Sequence, residues 1–254
     1  MFVACSTLCF SREPIESALR HIAELEFDKI ELAIIEGGTH LEPSSVAENP
    51  EIAIQKLRNG PSLTPTSLNL DFGPYDPDNT LFRKRFEAMC RLAKPLTVAV
   101  LTIPAAPLGI PFDDEVKRLA VLSGHAMREG LVLALETHSK TLTVDPAVAV
   151  ELCKAVPGLG LTLDPSHYIQ AGVKDYDAVF PYVKNIHLRD TGKNEGEFQV
   201  RVGQGEIEYG RIVNLLERSG YDRSLTISIL DGIENPFEVE VEVRKLKLLL
   251  ESLL

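Results

Sequence analysis

The sequence predicts a (β/α)8 barrel, and three observations lead there. Short apolar runs alternate with longer amphipathic stretches to make about eight strand–helix units in 254 residues. The apolar runs are near-continuous, which marks parallel strands covered on both faces. No G-x-G-x-x-G follows the first strand, which counts against a doubly wound open sheet, the alternative for the same pattern.

The elements follow in order. "FVACS" reads as the first strand, and Pro14 to Glu26 as a helix through Ile15, Leu19, Ile22 and Leu25. "DKIELAI" is the second strand, with a short helix from Pro50 to Arg58. "TPTSLNLDF" and a helix from Thr80 to Ala93 come next, then "LTVAVLTIP" and a helix from Phe112 to Glu129. "LVLALETH" is the fifth strand, followed by a helix from Pro146 to Lys154. "LGLTLDPS" is the sixth, broken by Pro165, with a short helical piece from Tyr176 to Pro181. "VKNIHLRD" and a helix from Ile207 to Ser219 form the seventh unit, and "SLTISILD" is the eighth strand. The last segment, "NPFEVEVEVRKLKLLLESLL", alternates like a strand at "VEVEV", yet Asn235 as N-cap, Pro236 at the first helical position and the leucine-rich end predict a helix. Two long loops are expected, Glu36 to Asn49 and Asp190 to Gly205. The length also suits two small domains, but no linker or composition shift divides the chain, so one domain over residues 1–254 is expected.

The bulk chemistry excludes several classes. With 37 acidic against 26 basic residues the formal charge is −11, and no basic run appears, so a nucleic-acid surface is not expected. Cys5, Cys9, Cys90 and Cys153 form no C-x-x-C pair and read as free thiols of a reducing compartment. "MFVACSTLCFSREP" has no basic residue ahead of its apolar run, so it reads as a strand rather than a signal peptide. No stretch has the apolar length of a membrane span. A cytoplasmic protein without a membrane partner is expected.

Residues at the carboxyl ends of barrel strands face the active-site mouth. The fifth strand ends in Glu136, then His138; the sixth in Asp164, then His167; the seventh carries His187, then Arg189 and Asp190; the eighth carries Ser228, then Asp231. Glu136, Asp164 and His187 thus come from three consecutive strands at one height. Each has a structural explanation alone: an ion-pairing carboxylate, a cap at Pro165, a core histidine. Together, two carboxylates and an imidazole form a cation site, and an O/O/N set suits Mn²⁺, Mg²⁺, Co²⁺ or Zn²⁺.

"LALETH", "LTLDPSH", "NIHLRD", "VGQGEIEYGRI" and the early "ALRHIAELEFDKIEL" resemble the xylose isomerase-like TIM barrels, the sugar phosphate isomerase/epimerase superfamily, over nearly the whole chain. The resemblance implies a TIM barrel with a divalent metal at its mouth, held by Glu136, Asp164 and His187. It implies that His167 of D-x-x-H contacts substrate and that Arg201 holds a substrate hydroxyl or phosphate, with His138 beside them. Glu31 matches a glutamate that recurs on the second strand, and a structural or supporting role is expected for it. One position departs. The family's fourth ligand is usually an eighth-strand glutamate, and the matching residue in "LTISILD" is Ser228, with Asp231 a substitute only if the strand turns early.

The expected activity is that of a metal-dependent isomerase, epimerase or related lyase acting on a small carbohydrate or polyol-derived carbonyl compound through an enediolate, with Glu136 and His167 as the catalytic residues. Two alternatives stand beside it. One is a phosphodiesterase of the endonuclease IV type, whose extra histidines this chain lacks at "QVRVGQG". The other is a non-catalytic sugar-binding barrel that lost its second carboxylate. The oligomeric state is left open, a homo-oligomer included.

Overall fold

The computed structural model describes residues 1–76, 80–194, 196–232, 235 and 237–254. Eight parallel strands close into a barrel in sequence order: β1 (Phe2–Ser6), β2 (Lys29–Ile35), β3 (Thr64–Asp71), β4 (Val100–Pro104), β5 (Val132–Glu136), β6 (Gly160–Leu163), β7 (Val183–Leu188) and β8 (Ser224–Ile227). β8 pairs with β1 through Phe2–Ser224 to Cys5–Ile227, which removes both sheet edges.

The helices are α1 (Ile15–Glu24), α2 (Pro43–Glu48), α3 (Pro50–Arg58), α4 (Thr80–Ala93), α5 (Phe112–Arg128), α6 (Pro146–Ala155), α7 (Pro165–Gln170), α8 (Tyr209–Arg218) and α9 (Val239–Glu251). α1 shows why they form. Its buried residues Ile15, Ala18, Leu19 and Ile22 recur at helical spacing, and burying a side chain the size of Ile22 stabilises by about 1.5–3 kcal/mol. Among the described residues no helix is long and apolar enough to cross a membrane.

Several boundaries differ from the sequence reading. α2 lies inside the expected loop Glu36–Asn49, and α7 begins at Pro165, where the sequence reading has a strand break and a capped turn. Asp164 caps α7 by accepting from the Ser166 N–H at 3.0 Å, and Pro165 opens it. The expected helical piece near Tyr176 is a 3₁₀ segment, Asp177–Tyr182. The last segment is helical only from Val239, with Glu238 at its N-cap in place of Asn235; Pro236 lies outside the described residues.

The strands carry two chemistries. Leu32, Leu68, Leu101, Leu133, Leu161, Ile186 and Leu225 are fully buried in the apolar core. The alternate positions are polar. Thr102 and Thr162 bond at 2.6 Å between strands that are not neighbours, and Asn185 of β7 donates to Glu31 of β2 at 2.7 Å. Such bonds are possible only across the barrel interior. A polar layer therefore fills the barrel below the mouth, and every member bonds to another, as burial requires.

Asp190, just beyond β7, fastens the long loop that follows. It accepts from the N–H groups of Thr191 at 3.0 Å, Gly203 at 2.7 Å and Gly205 at 3.1 Å. A Cβ at Gly205 would collide with the Asp190 carboxylate and the Thr191 carbonyl, so glycine is required there. Asp190→Ala is expected to lower stability by about 1–3 kcal/mol, because the buried Thr191 N–H and the partly buried N–H groups of Gly203 and Gly205 lose their acceptor. Limited proteolysis should then cut within residues 200–205. Resistance equal to the wild type would show that the loop is held by other contacts.

Candidate functional site

The site is built on His187, which is fully buried at the end of β7. Its Nδ1 lies 2.9 Å from Glu136 Oε1 of β5, and its Nε2 lies 2.8 Å from Glu31 Oε1 of β2. The first contact is an aligned hydrogen bond; the second is angled, an ion pair more than a hydrogen bond. Glu31 is anchored through its other oxygen, Oε2, which accepts from Ser67 Oγ at 2.8 Å and Asn185 Nδ2 at 2.7 Å. Nε2 thus points into the polar layer, and Nδ1 points towards the mouth.

Burial works against the charge on His187, but the Glu31 carboxylate first, and then Glu136, outweigh it and raise the imidazole from 6.5 to about 10. Burial also pushes up both carboxylates, and the charged His187 reverses this, leaving Glu31 lowered and Glu136 lowered to about 2. The cation-free site holds an imidazolium between two carboxylates.

Asp164 is buried at the end of β6. Thr137 locks its backbone, accepting from Asp164 N–H at 2.8 Å and donating to Asp164 O at 3.2 Å. Its Oδ1 accepts from the Ser166 N–H and hydroxyl, and its Oδ2 is paired with the buried Arg189 guanidinium. The Arg189 guanidinium carbon lies 4.9 Å from the Phe198 ring centroid.

Glu136, Asp164 and His187 each offer a ligand atom within 4.8 Å of the others. Two carboxylate oxygens and one imidazole nitrogen are a donor set for a hard or borderline divalent ion, so these residues fit one. Glu31 would then orient the ligand histidine from behind, as a supporting carboxylate does at many metal sites.

His167 and His138 form one wall of the mouth, with ring centroids 3.9 Å apart. Phe198 packs on the other side of His167 at 4.9 Å. Burial holds His167 down at about 4 and lowers His138, so both rings are neutral near pH 7. Ser139 Oγ sits 3.2 Å from His167 Nδ1, and His138 Nδ1 accepts from the Lys140 N–H at 3.1 Å.

Other candidates lie elsewhere. Arg201 is exposed on the loop after β7, between the bonds that tie Val202 to Glu242 and Gly203 to Asp190. Asp231 is held by Arg12 at 2.9 Å, and among the described residues it is not part of the group whose ligand atoms lie within 4.8 Å of one another. Ser228 follows β8 two residues after Thr226, on the same face. Its hydroxyl is buried and has no partner among the described residues. Sequence reasoning left Arg189, Ser139 and Phe198 without a role, and gave Glu31 one only through the family resemblance. A signal existed for Arg189: Asn185, His187 and Arg189 alternate, so they share the inward face.

The pattern of the xylose isomerase-like TIM barrels matches residues 19–248. The chain belongs to this family. No curated protein matches it by sequence. Solved structures of similar fold include a probable 3-DHS dehydratase, AsbF, from Bacillus anthracis, at 17% identity over 97% of this chain and 98% of that one, TM-score 0.75. A D-tagatose 3-epimerase-like protein is 20% identical over 100% and 98% of the two chains, TM-score 0.71. A xylose isomerase-like TIM barrel protein from Mycobacterium smegmatis, in complex with magnesium, is 17% identical over 99% and 97%, TM-score 0.72. At such identities the likeness is one of fold, and the xylose isomerase-like barrel supports many chemistries.

The charge assignment is testable. In cation-free protein at pH 7.5, His187 should carry protons on both ring nitrogens while His138 and His167 carry one each, as read by NMR of histidine-labelled protein. A group raised from 6.5 to about 10 stabilises the fold fully below 6.5, and that contribution is lost as pH rises through 10. Thermal stability of the cation-free protein should therefore fall over this window. A singly protonated His187 at pH 7.5 would refute the assignment.

Proposed function

We propose that this xylose isomerase-like barrel is a divalent-metal-dependent isomerase, epimerase or related lyase, acting on a small sugar or polyol-derived carbonyl compound. The observation that carries the reading is the division of labour on Glu136. Its Oε1 faces His187, while Oε2 accepts no hydrogen bond among the described residues and the side chain stays 17% exposed at the mouth.

Glu136, Asp164 and His187 would hold the ion, as Mn²⁺, Mg²⁺, Co²⁺ or Zn²⁺. When bound it would supply positive charge to a carbonyl and a neighbouring hydroxyl oxygen, which acidifies the C–H of the hydroxyl-bearing carbon alpha to the carbonyl. Glu136 Oε2 would take that proton; a carboxylate at about 2 is ionised at any working pH but is a weak base, so the substrate must be made acidic. His167 and His138, neutral and facing the same space, can donate to substrate oxygens. Ser139 fixes the His167 ring. Phe198 covers it and limits water. Arg201, on the exposed loop, would contact an outer substrate group.

Ser228 narrows the chemistry. A hydroxyl where a glutamate is expected leaves the eighth-strand side without a carboxylate to work on the opposite face of the carbon. One-face proton transfer or elimination of a neighbouring hydroxyl fits such a mouth better than two-base epimerisation. The same residue favours a second reading, a sugar-binding barrel without turnover.

Metal-loaded protein incubated in D₂O with ketoses, aldoses and inososes should place deuterium alpha to the carbonyl of its substrate, detected by NMR. Glu136→Gln should reduce that exchange by about 10²-fold or more. His167→Ala should impair exchange more than it impairs metal binding. Exchange that survives Glu136→Gln would remove Glu136 from the base role, and cleavage of abasic DNA dependent on Glu136 would favour a phosphodiesterase.

Ser228→Glu separates the readings further. It adds a charged oxygen beside Glu136 and Asp164, so calorimetry should show tighter divalent binding and the cation-free variant should melt below the wild type. Tighter binding with no exchange in either protein would support the binding barrel. Unchanged affinity would show that Ser228 does not face the ion.

A further inference from the structure

The side chain that the proposed chemistry leaves unused is Arg189. It is 3% exposed, directly beyond β7, and its Nη2 is paired with Asp164 Oδ2. Asp164 Oδ1 is already engaged by the Ser166 N–H and hydroxyl. Arg189 therefore sits on the oxygen of Asp164 that Ser166 leaves open. Its Nε is buried without a partner among the described residues, as are the hydroxyls of Ser228 and Tyr209. The guanidinium bonds Asp164 through Nη2 while its Nε is unsatisfied.

The formal charges around it are three carboxylates, Glu31, Glu136 and Asp164, against His187 and Arg189. A cation bound by an Asp164 oxygen sits about 2 Å from it. A guanidinium on the same oxygen would then lie a few ångströms from a divalent charge, and like charges at that distance in a buried site repel strongly. Both cannot hold Asp164 Oδ2 in their best geometry.

We infer that Arg189 is an internal counter-ion that occupies Asp164 in place of the divalent cation and must leave that oxygen when the cation enters. This rests on the reading of the mouth as a cation site and adds a competitor to it. Three consequences follow from charge and geometry. Apparent cation affinity is reduced by the fraction of molecules in which Arg189 has released Asp164. The cation-free cluster keeps a compensated charge, so it survives without the ion. Departure is open to Arg189 because its face contact is with Phe198 on a half-buried loop residue, and its Nε makes no bond that must be broken.

The test compares chelator-stripped wild type, Arg189→Met and Arg189→Lys by calorimetry with Mn²⁺ alone. Arg189→Met keeps the length and removes the charge, and it should bind Mn²⁺ about tenfold tighter or more. Arg189→Lys restores a cation and should return affinity towards the wild type. A merely structural role would weaken binding or leave it unchanged in Arg189→Met, and either result overturns the inference while leaving the cation site intact. Tight binding by Arg189→Met with none by the wild type supports it and removes the wild type from the metal-dependent class. No Mn²⁺ binding by any of the three overturns both readings. Should Arg189→Met not fold, the wild type itself gives the answer: ¹⁵N NMR of arginine-labelled protein titrated with Mg²⁺ should show the slow guanidinium rotation imposed by Asp164 becoming fast, and an unchanged signal at saturating Mg²⁺ overturns the inference.

Discussion

The mouth of this barrel depends on one imidazole held between two carboxylates. His187 reaches Glu136 on one side and Glu31 on the other, and all three side chains are removed or nearly removed from water. None of the charges is tolerable alone at such depth. Glu31 and Glu136 are ionised because His187 is charged, and His187 is charged because they are ionised. The three residues come from β2, β5 and β7, which are not neighbours in the sheet. Only closure of the barrel brings them together, so the electrostatics of the site and the completeness of the fold support each other. Truncating any one of the three leaves a buried charge without its partner, the costly case for buried ion pairs.

The polar layer below explains how that arrangement is held. Asn185 donates to Glu31 and accepts from Thr226 at 3.3 Å, which joins β7, β2 and β8 through one amide. Ser67 adds β3. An apolar interior would give Glu31 no anchor for Oε2, and the carboxylate could then rotate away from His187. The barrel interior is a scaffold for orienting one carboxylate, with the apolar packing placed outside, between the strands and their helices.

Much of this is legible in the sequence, because barrels translate strand order into spatial order. Eight apolar runs between helices identify the closed sheet, and Glu136, Asp164 and His187 fall at matching strand ends. The misreadings have physical causes. α7 has six residues, too few to show a hydrophobic period, although Asp164–Pro165 is a sound cap-and-start signal. The sequence offers Asp164 as a cap at Pro165 or as a site residue, and that it does both at once, capping a helix while joining the site, is not apparent from it. α2 is equally short and hides in a segment rich in polar residues. The pairing of Arg189 with Asp164 depends on side-chain reach between neighbouring strands, which periodicity does not encode. Alternation shows that Arg189 points inward; it does not show what Arg189 meets there.

Glu136, Asp164, His187 and Arg189 stand at the ends of β5 to β7, and the residue that follows β8 is Ser228. This asymmetry bears on what the family fold does here. A mouth with carboxylates on both sides of a carbon can remove a proton from one face and return it to the other. A mouth with a carboxylate on one face and a buried hydroxyl opposite has no second base of comparable strength, since a serine hydroxyl does not take a proton from carbon unaided. The neutral wall of His138 and His167 stands beside the acidic side, so under the proposed reading the donors to substrate oxygens share a side with the base. Proton removal and oxygen protonation on one side of a bound molecule suit isomerisation through a shared enediol or loss of a neighbouring hydroxyl. Under the proposed reading, then, the eighth-strand residue decides whether the mouth has a base on one face of the carbon or on both.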